Sequence, residues 1–187
     1  MLTTLYNLAL WIGEKHSGKT TSATKLAETA RDEGFNVAGL LTPSLYYNEE
    51  LLGFDTIDLQ SRTRAQLAKR NIDEGKTERF TFLPEGLKLG HTALSARATK
   101  SADLVIVDEF GPLELDGQLW RENVNSLLAL SRALIVLVVR LELAEAVRQT
   151  YIDFPCRNLP ATEPESIDKI IEMLRDCRTI TSRKKYD

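Results

Sequence analysis

Residues 13–21, "GEKHSGKTT", follow directly on the apolar run "LYNLALWI" and lead into a stretch with helical spacing. Gly13, Gly18, Lys19 and Thr20 fit the pattern G-x-x-x-x-G-K-[ST], which in this context describes a strand turning sharply into a helix. That unit constrains the rest of the chain. Further apolar runs recur at "FNVAGLLT", "ADLVIVDEF" and "RALIVLVV", rich in Val, Ile and Leu instead of alternating with polar residues, as strands buried on both faces of a parallel sheet do. Helical spacing separates them: Ala23, Leu26, Ala27 and Ala30 ending near Gly34, then Leu87 to Ala98, Trp120 to Leu130, and Leu143 to Val147. The expected architecture is an α/β three-layer sandwich, a mostly parallel central sheet with helices on both faces.

One insertion departs from the alternation. From Ser44 to Leu83 the short segments "LLGFDTIDL", "RAQLAKR" and "ERFTFL" are separated by turn-prone "YYNEE", "QSRT" and "NIDEGKT", which predicts antiparallel hairpins on an edge of the sheet. After Pro164, Ile167, Ile170, Ile171 and Leu174 predict an amphipathic closing helix, and residues 178–187 a polar, mobile tail. With 187 residues, 43% of them hydrophobic and 27% charged, the chain reads as a single domain with a full core. A net charge of −3 gives no reason to expect nucleic acid as a partner. Cys156 and Cys177 lack metal-ligand spacing and read as reduced thiols, which points to a cytoplasmic protein. The N-terminal apolar stretch lacks the basic flank and cleavage site of a signal peptide, and no run reaches the length of about 18 apolar residues that a membrane span needs.

The loop pattern carries chemistry. Glycines admit backbone angles closed to other residues and let the chain approach an anion closely, while successive N–H groups and the helix N-terminus present positive dipole to it. Residues 13–21, Gly13, Glu14, Lys15, His16, Ser17, Gly18, Lys19, Thr20 and Thr21, are thus expected to cradle the phosphates of a nucleotide. Lys19 would reach the β- and γ-phosphates and the Thr20 hydroxyl a Mg²⁺ ion. His16 stands where unusual backbone angles are expected, and histidine is among the non-glycine residues most often found at positive φ.

The second chemical element is "ADLVIVDEFGPLEL", an apolar strand ending in two carboxylates. Asp108 is assigned to Mg²⁺ and Glu109 to orienting or deprotonating a water; met alone, the two acids would more simply cap a turn. Gly111 and Pro112 then turn the chain, either holding Glu109 over the γ-phosphate or forming a plain surface connection on which Glu114 is a solvated charge. A cation is expected beside the transferred phosphoryl group; Arg140, just past "RALIVLVV", is the first candidate, with Arg121 and Lys15 as rivals. His91 reads as a surface or packing residue, and Trp11 and Trp120 as core. Tyr46 and Tyr47 are the plausible stacking contacts for a nucleobase.

With these residues in hand, the chain resembles the small phosphate-loop nucleoside-triphosphatases known as the cancer-related or thermophile-type family. The likeness spans roughly residues 5 to 160 and rests on "GEKHSGKTT", on "LLGFDTIDLQSRTRAQLAKR", and on "LVIVDEFGPLEL", close to that family's Asp-Glu-Ile/Phe-Gly-x-x-Glu-Leu motif. It implies a RecA-like or kinase-like fold and slow, Mg²⁺-dependent hydrolysis of nucleoside triphosphates, ATP and GTP among them, with little base selectivity. It also implies that Glu114 matches the motif's second acid. Two departures stand out: His16 replaces a glycine of the family's loop, and "QSRT" replaces a glycine-containing turn. Two other functions share the same features. One is a nucleotide or small-metabolite kinase whose acceptor pocket or lid is the insertion; the other is a nucleotide-dependent switch or accessory subunit read by a protein partner.

Overall fold

The structure, a computed structural model, describes residues 6–71 and 79–183, with side chains through residue 178. The expected turn "NIDEGKT" falls almost wholly in 72–78, outside the described residues.

Five parallel strands form the middle of the sheet: β2 (Val37–Leu41), β7 (Leu104–Val107), β8 (Leu134–Arg140), β1 (Leu8–Gly13) and β9 (Cys156–Pro160), in that spatial order. On the β2 side the sheet continues antiparallel through β4 (Glu50–Asp58), β5 (Arg64–Arg70) and β6 (Phe80–Phe82), with β3 (Ser44–Tyr47) also paired to β4. The insertion thus lies on an edge of the sheet, as its turns and short segments suggested.

Side chains alternate between the two faces of the strands. Ala9, Trp11, Leu104, Ile106, Val136 and Val138 pack under α1 (Lys19–Asp32) and α7 (Glu165–Arg183), where Leu26, Ala30, Ile170 and Leu174 are buried. Leu10, Val105, Val107, Ile135, Leu137 and Val139 face the other way, toward α2 (Pro84–Ala93), α5 (Arg121–Leu130) and α6 (Ala144–Thr150). Helices on both faces complete the three layers. Removing these apolar surfaces from water is the main driving force for the assembly, at about 25 cal/mol per Å².

Several boundaries differ from the sequence reading. The expected helix over 87–98 is two helices: α2 starts earlier, with Pro84 in its first turn, and α3 (Ala96–Thr99) restarts where the Ser95 hydroxyl accepts the Ala98 N–H. A four-residue helix, α4 (Pro112–Leu115), occupies the turn after the acids. Helix α7 runs on to Arg183, past the point where a tail was expected, and 184–187 lie outside the described residues. Among the described residues no helix is long and apolar enough to cross a membrane.

Candidate active site

Strand β1 ends at Gly13 and α1 begins at Lys19, so the phosphate-loop candidate is a hairpin bend of the backbone at the C-terminal edge of the parallel strands. Two residues make the bend possible. His16 stands at φ 61° and Gly18 at φ 84°, both in the left-handed region, and histidine tolerates the first of these at modest cost. Gly13 answers a different need: a Cβ there would lie 2.8 Å from Ser17 Oγ and 3.0 Å from Lys19 Cγ. Without a side chain at Gly13, the loop closes over the stem of Lys19. That lysine is only 6% exposed, and its ammonium donates to the Glu14 carbonyl at 2.8 Å. Among the described residues no side chain caps the start of α1, so its first amides are available to an anion.

Strand β7 brings the acids to the same edge. Asp108 N–H donates to Leu40 C=O in β2 and Phe110 N–H to Val138 C=O in β8, and between them Glu109 turns through φ 56°. Such an angle costs a non-glycine residue about 1–2 kcal/mol. It carries the chain from one neighbouring strand to the other and sets Glu109 above β8. Asp108 is fully buried, and its carboxylate accepts the N–H groups of Thr42 and Glu109, each at 3.0 Å. Burial raises its pKa from 3.8 to about 6; the Thr42 bond works against that rise, the charge of Glu109 adds to it, and the nearby Thr20 hydroxyl of the loop opposes it.

Arg140 is the last residue of β8 and lies in register with Gly13. Its guanidinium meets the Glu109 carboxylate at 3.3 Å. Of the rivals, Arg121 donates to the Glu114 carbonyl and lies over the Tyr151 ring, and Lys15 is exposed on the loop. Glu114 is 2% exposed, so the reading of it as a solvated charge does not hold. Its carboxyl accepts the Gly111 N–H at 2.8 Å, tying the turn behind Glu109, and burial raises its pKa from 4.5 to about 7.

The remaining expectations separate cleanly. His91 bonds Asn123 and packs edge-on against Trp120, and Trp11 and Trp120 are buried. Tyr46 and Tyr47 are exposed on β3 and line neither of the two cavities that flank the site. One cavity, of about 420 Å³, runs from Ser17, Gly18 and Thr21 to Thr162, Glu163 and Pro164 after β9. The other, of about 190 Å³, opens beside Glu109 and Arg140 toward the insertion. Sequence reasoning had passed over Thr42 and the 161–164 segment. Thr42 was findable, since it ends an apolar strand as Asp108 does; the segment after β9 carries no motif.

Thr20 and Asp108 supply a hydroxyl and a carboxylate, hard oxygen donors that suit Mg²⁺, an ion commonly held by one or two protein oxygens together with phosphates and water. The influence of the Thr20 hydroxyl on the Asp108 carboxyl puts the loop and the acid strand within reach of one ion.

The family model described as NTPase matches residues 10–154. This chain belongs to that family. A relative in Archaeoglobus fulgidus, nucleoside-triphosphatase THEP1, is 31% identical over 86% of this chain and 96% of its own length. Another of the same name, from Methanopyrus kandleri, is 32% identical over 60% of this chain, and there the match spans 62% of the relative. The solution structure of a human cancer-related nucleoside triphosphatase superposes with a TM-score of 0.64 at 22% identity, covering 94% of this chain and 97% of that one, a likeness of fold. Membership in the NTPase family agrees with the resemblance carried by the loop, insertion and acid motifs. The family's glycine-containing turn is here closed differently: Asp58 accepts the Gln60 N–H and the Ser61 hydroxyl, and Arg62 takes the left-handed angle at φ 61°.

Proposed function

We propose that this chain is a Mg²⁺-dependent nucleoside-triphosphatase that converts ATP, GTP and related triphosphates to the diphosphate and phosphate. The observation that carries the reading is that the buried Asp108 carboxylate, bonded by the Thr42 and Glu109 N–H groups, stands at the same sheet edge as the loop, where the nearby Thr20 hydroxyl favours its ionised form. The phosphates lie along residues 13–21, with Lys19 leaving the Glu14 carbonyl for the β- and γ-phosphates. Thr20 and Asp108 hold Mg²⁺, which when bound neutralises phosphate charge and fixes the γ-phosphate's orientation. Glu109 aligns a water opposite the leaving oxygen and takes its proton as the new oxygen–phosphorus bond forms and the bond to the bridging oxygen breaks. Lys19, Arg140 and the loop amides stabilise the charge that spreads over the phosphoryl oxygens. The nucleoside extends from the loop into the cavity bounded by Thr21 and Thr162. We place the reaction in the cytoplasm.

The test compares phosphate release from Mg·ATP and Mg·GTP by the native protein and by Glu109→Gln, with no acceptor present. Native turnover with a variant that binds triphosphate but does not release phosphate is the expected result. Equal release by both would sink the assignment of Glu109.

A further inference from the structure

Hydrolysis leaves the 190 Å³ cavity beside Glu109 unexplained. A water molecule occupies about 30 Å³ and needs polar partners, whereas an apolar cavity of about 150 Å³ is large enough to hold benzene. Here the walls are aromatic: Phe54, Phe80 and Phe82 come from the insertion, and Trp120 faces them from the start of α5. The cavity has room for one ring with a short arm.

Its polar lining is equally specific. Thr42, Glu109, Glu114 and Arg140 all contribute to it. Buried atoms on three of them, Thr42 Oγ1, one Glu114 carboxyl oxygen and Arg140 Nε, have no hydrogen-bond partner among the described residues. A polar atom left this way is costly unless something meets it. The ionisable groups of the wall, two carboxyls and one guanidinium already paired with Glu109, leave no net positive charge to hold the phosphate of a nucleotide or sugar phosphate.

We propose that this cavity is an acceptor subsite and takes a small uncharged alcohol built on one apolar ring. The inference rests on the reading of Glu109 as the group that activates the nucleophile. The alcohol oxygen takes the place of water. It bonds to the γ-phosphorus, the bond from that phosphorus to the bridging oxygen breaks, the nucleoside diphosphate departs with the electron pair, and the hydroxyl proton passes to the Glu109 carboxylate. The products are a phosphate ester and the diphosphate. On this account the insertion supplies the acceptor's apolar walls, and hydrolysis is what the site does when the subsite holds only water.

The test incubates the full chain with Mg·GTP and, in turn, phenol, benzyl alcohol and 2-phenylethanol, whose hydroxyls reach to different depths, and follows products by ³¹P NMR. A phosphate ester with at least one alcohol, formed at the expense of free phosphate, is expected. Phe82→Trp, which fills the cavity, and Phe80→Ala, which removes a wall, should each lower the ester-to-phosphate ratio about tenfold, equivalent to about 1.4 kcal/mol. Only variants that bind GTP as the native protein does are compared. Absence of ester with all three alcohols overturns the proposal whether or not phosphate is released, and so does a ratio unmoved by both substitutions. Ester formation without any phosphate release in the absence of alcohol would instead overturn the hydrolysis reading.

Discussion

Arg140 Nη2 lies 3.3 Å from Glu109 Oε2, joining the last residue of β8 to the second residue beyond the end of β7. The two side chains are 29% and 31% exposed, so solvent screens the pair and its worth to folding is about 0–1 kcal/mol. Its consequence is geometric. Glu109 sits on a left-handed backbone angle at φ 56°, and Arg140 lies in register with Gly13 at the mouth of the loop. The pair therefore spans from the proposed base to the edge of the phosphate cradle, where a guanidinium can exchange the carboxylate for a phosphoryl oxygen as charge develops.

Arg140→Ala should lower kcat for phosphate release by about 10²-fold, the usual cost of losing one donor to a transition-state oxyanion. Triphosphate affinity should change little, so kcat and kcat/KM fall together. Arg140→Lys should recover little of the loss, since an ammonium lacks the planar fork that addresses two oxygens. Steady-state kinetics with an independent measurement of nucleotide Kd checks the split. A rise in KM with kcat intact would place Arg140 in ground-state binding instead.

Lys19→Ala tests the loop itself. In the structure the ammonium is held on the Glu14 carbonyl at 2.8 Å, an oxygen on an exposed residue that water can satisfy once the lysine is gone. Stability without nucleotide should thus fall only by the packing of the buried lysine stem. Triphosphate affinity should weaken about tenfold or more, the equivalent of one charge-assisted contact, and phosphate release should vanish. Calorimetric titration beside a melting curve distinguishes this from a folding defect. A variant that still releases phosphate at the native rate would remove Lys19 from the site.

The parts legible in the sequence are those whose physics is local. Val- and Ile-rich runs announce β7 and β8 because both faces are buried, and the loop pattern announces itself because close approach at Gly13 and left-handed turns at His16 and Gly18 restrict which residues can stand there. What escaped is what tertiary pairing creates. Strand β9, "CRNLP", has no apolar run; it is a strand because Cys156–Pro160 pair with Leu8–Ile12. The burial of Glu114 was undecided for the same reason, since nothing in "GPLELDG" reveals that the chain folds back over it. The apolar cavity joins Phe54 and Phe82 to Trp120 across elements far apart in sequence, and no spacing rule connects them.

Gly39→Ala should be the most damaging single methyl group in the sheet. Gly39 stands at φ 105° in β2, and a Cβ there would lie 2.0 Å from the Ile106 carbonyl oxygen of β7. Neither backbone can yield without breaking the ladder that ends at Asp108. The angle alone costs a residue with a side chain about 1–3 kcal/mol, and the clash adds to it. Chemical denaturation should show a loss of about 3 kcal/mol or more, or no folded protein. Near-native stability would mean that β2 and β7 are not in the register Val37 to Leu104 through Leu40 to Val107.

The buried carboxyl of Glu114 makes stability depend on pH in a direction opposite to that of a salt-bridged acid. Its pKa is raised from 4.5 to about 7 in the fold, chiefly by burial and only partly offset by the Gly111 N–H. Between those two values the folded state binds the proton and the unfolded state does not. Stability from this group is therefore full below pH about 4.5, falls as pH rises toward 7, and is lost above it, a total of about 3 kcal/mol. Glu114→Gln keeps an oxygen for the Gly111 N–H and has no proton to lose. The variant's stability relative to the native protein should accordingly increase from about pH 5 to about pH 8 in paired denaturation curves. A difference that stays flat over this range would mean that the folded carboxyl titrates as an ordinary exposed glutamate, with the turn behind Glu109 open to water.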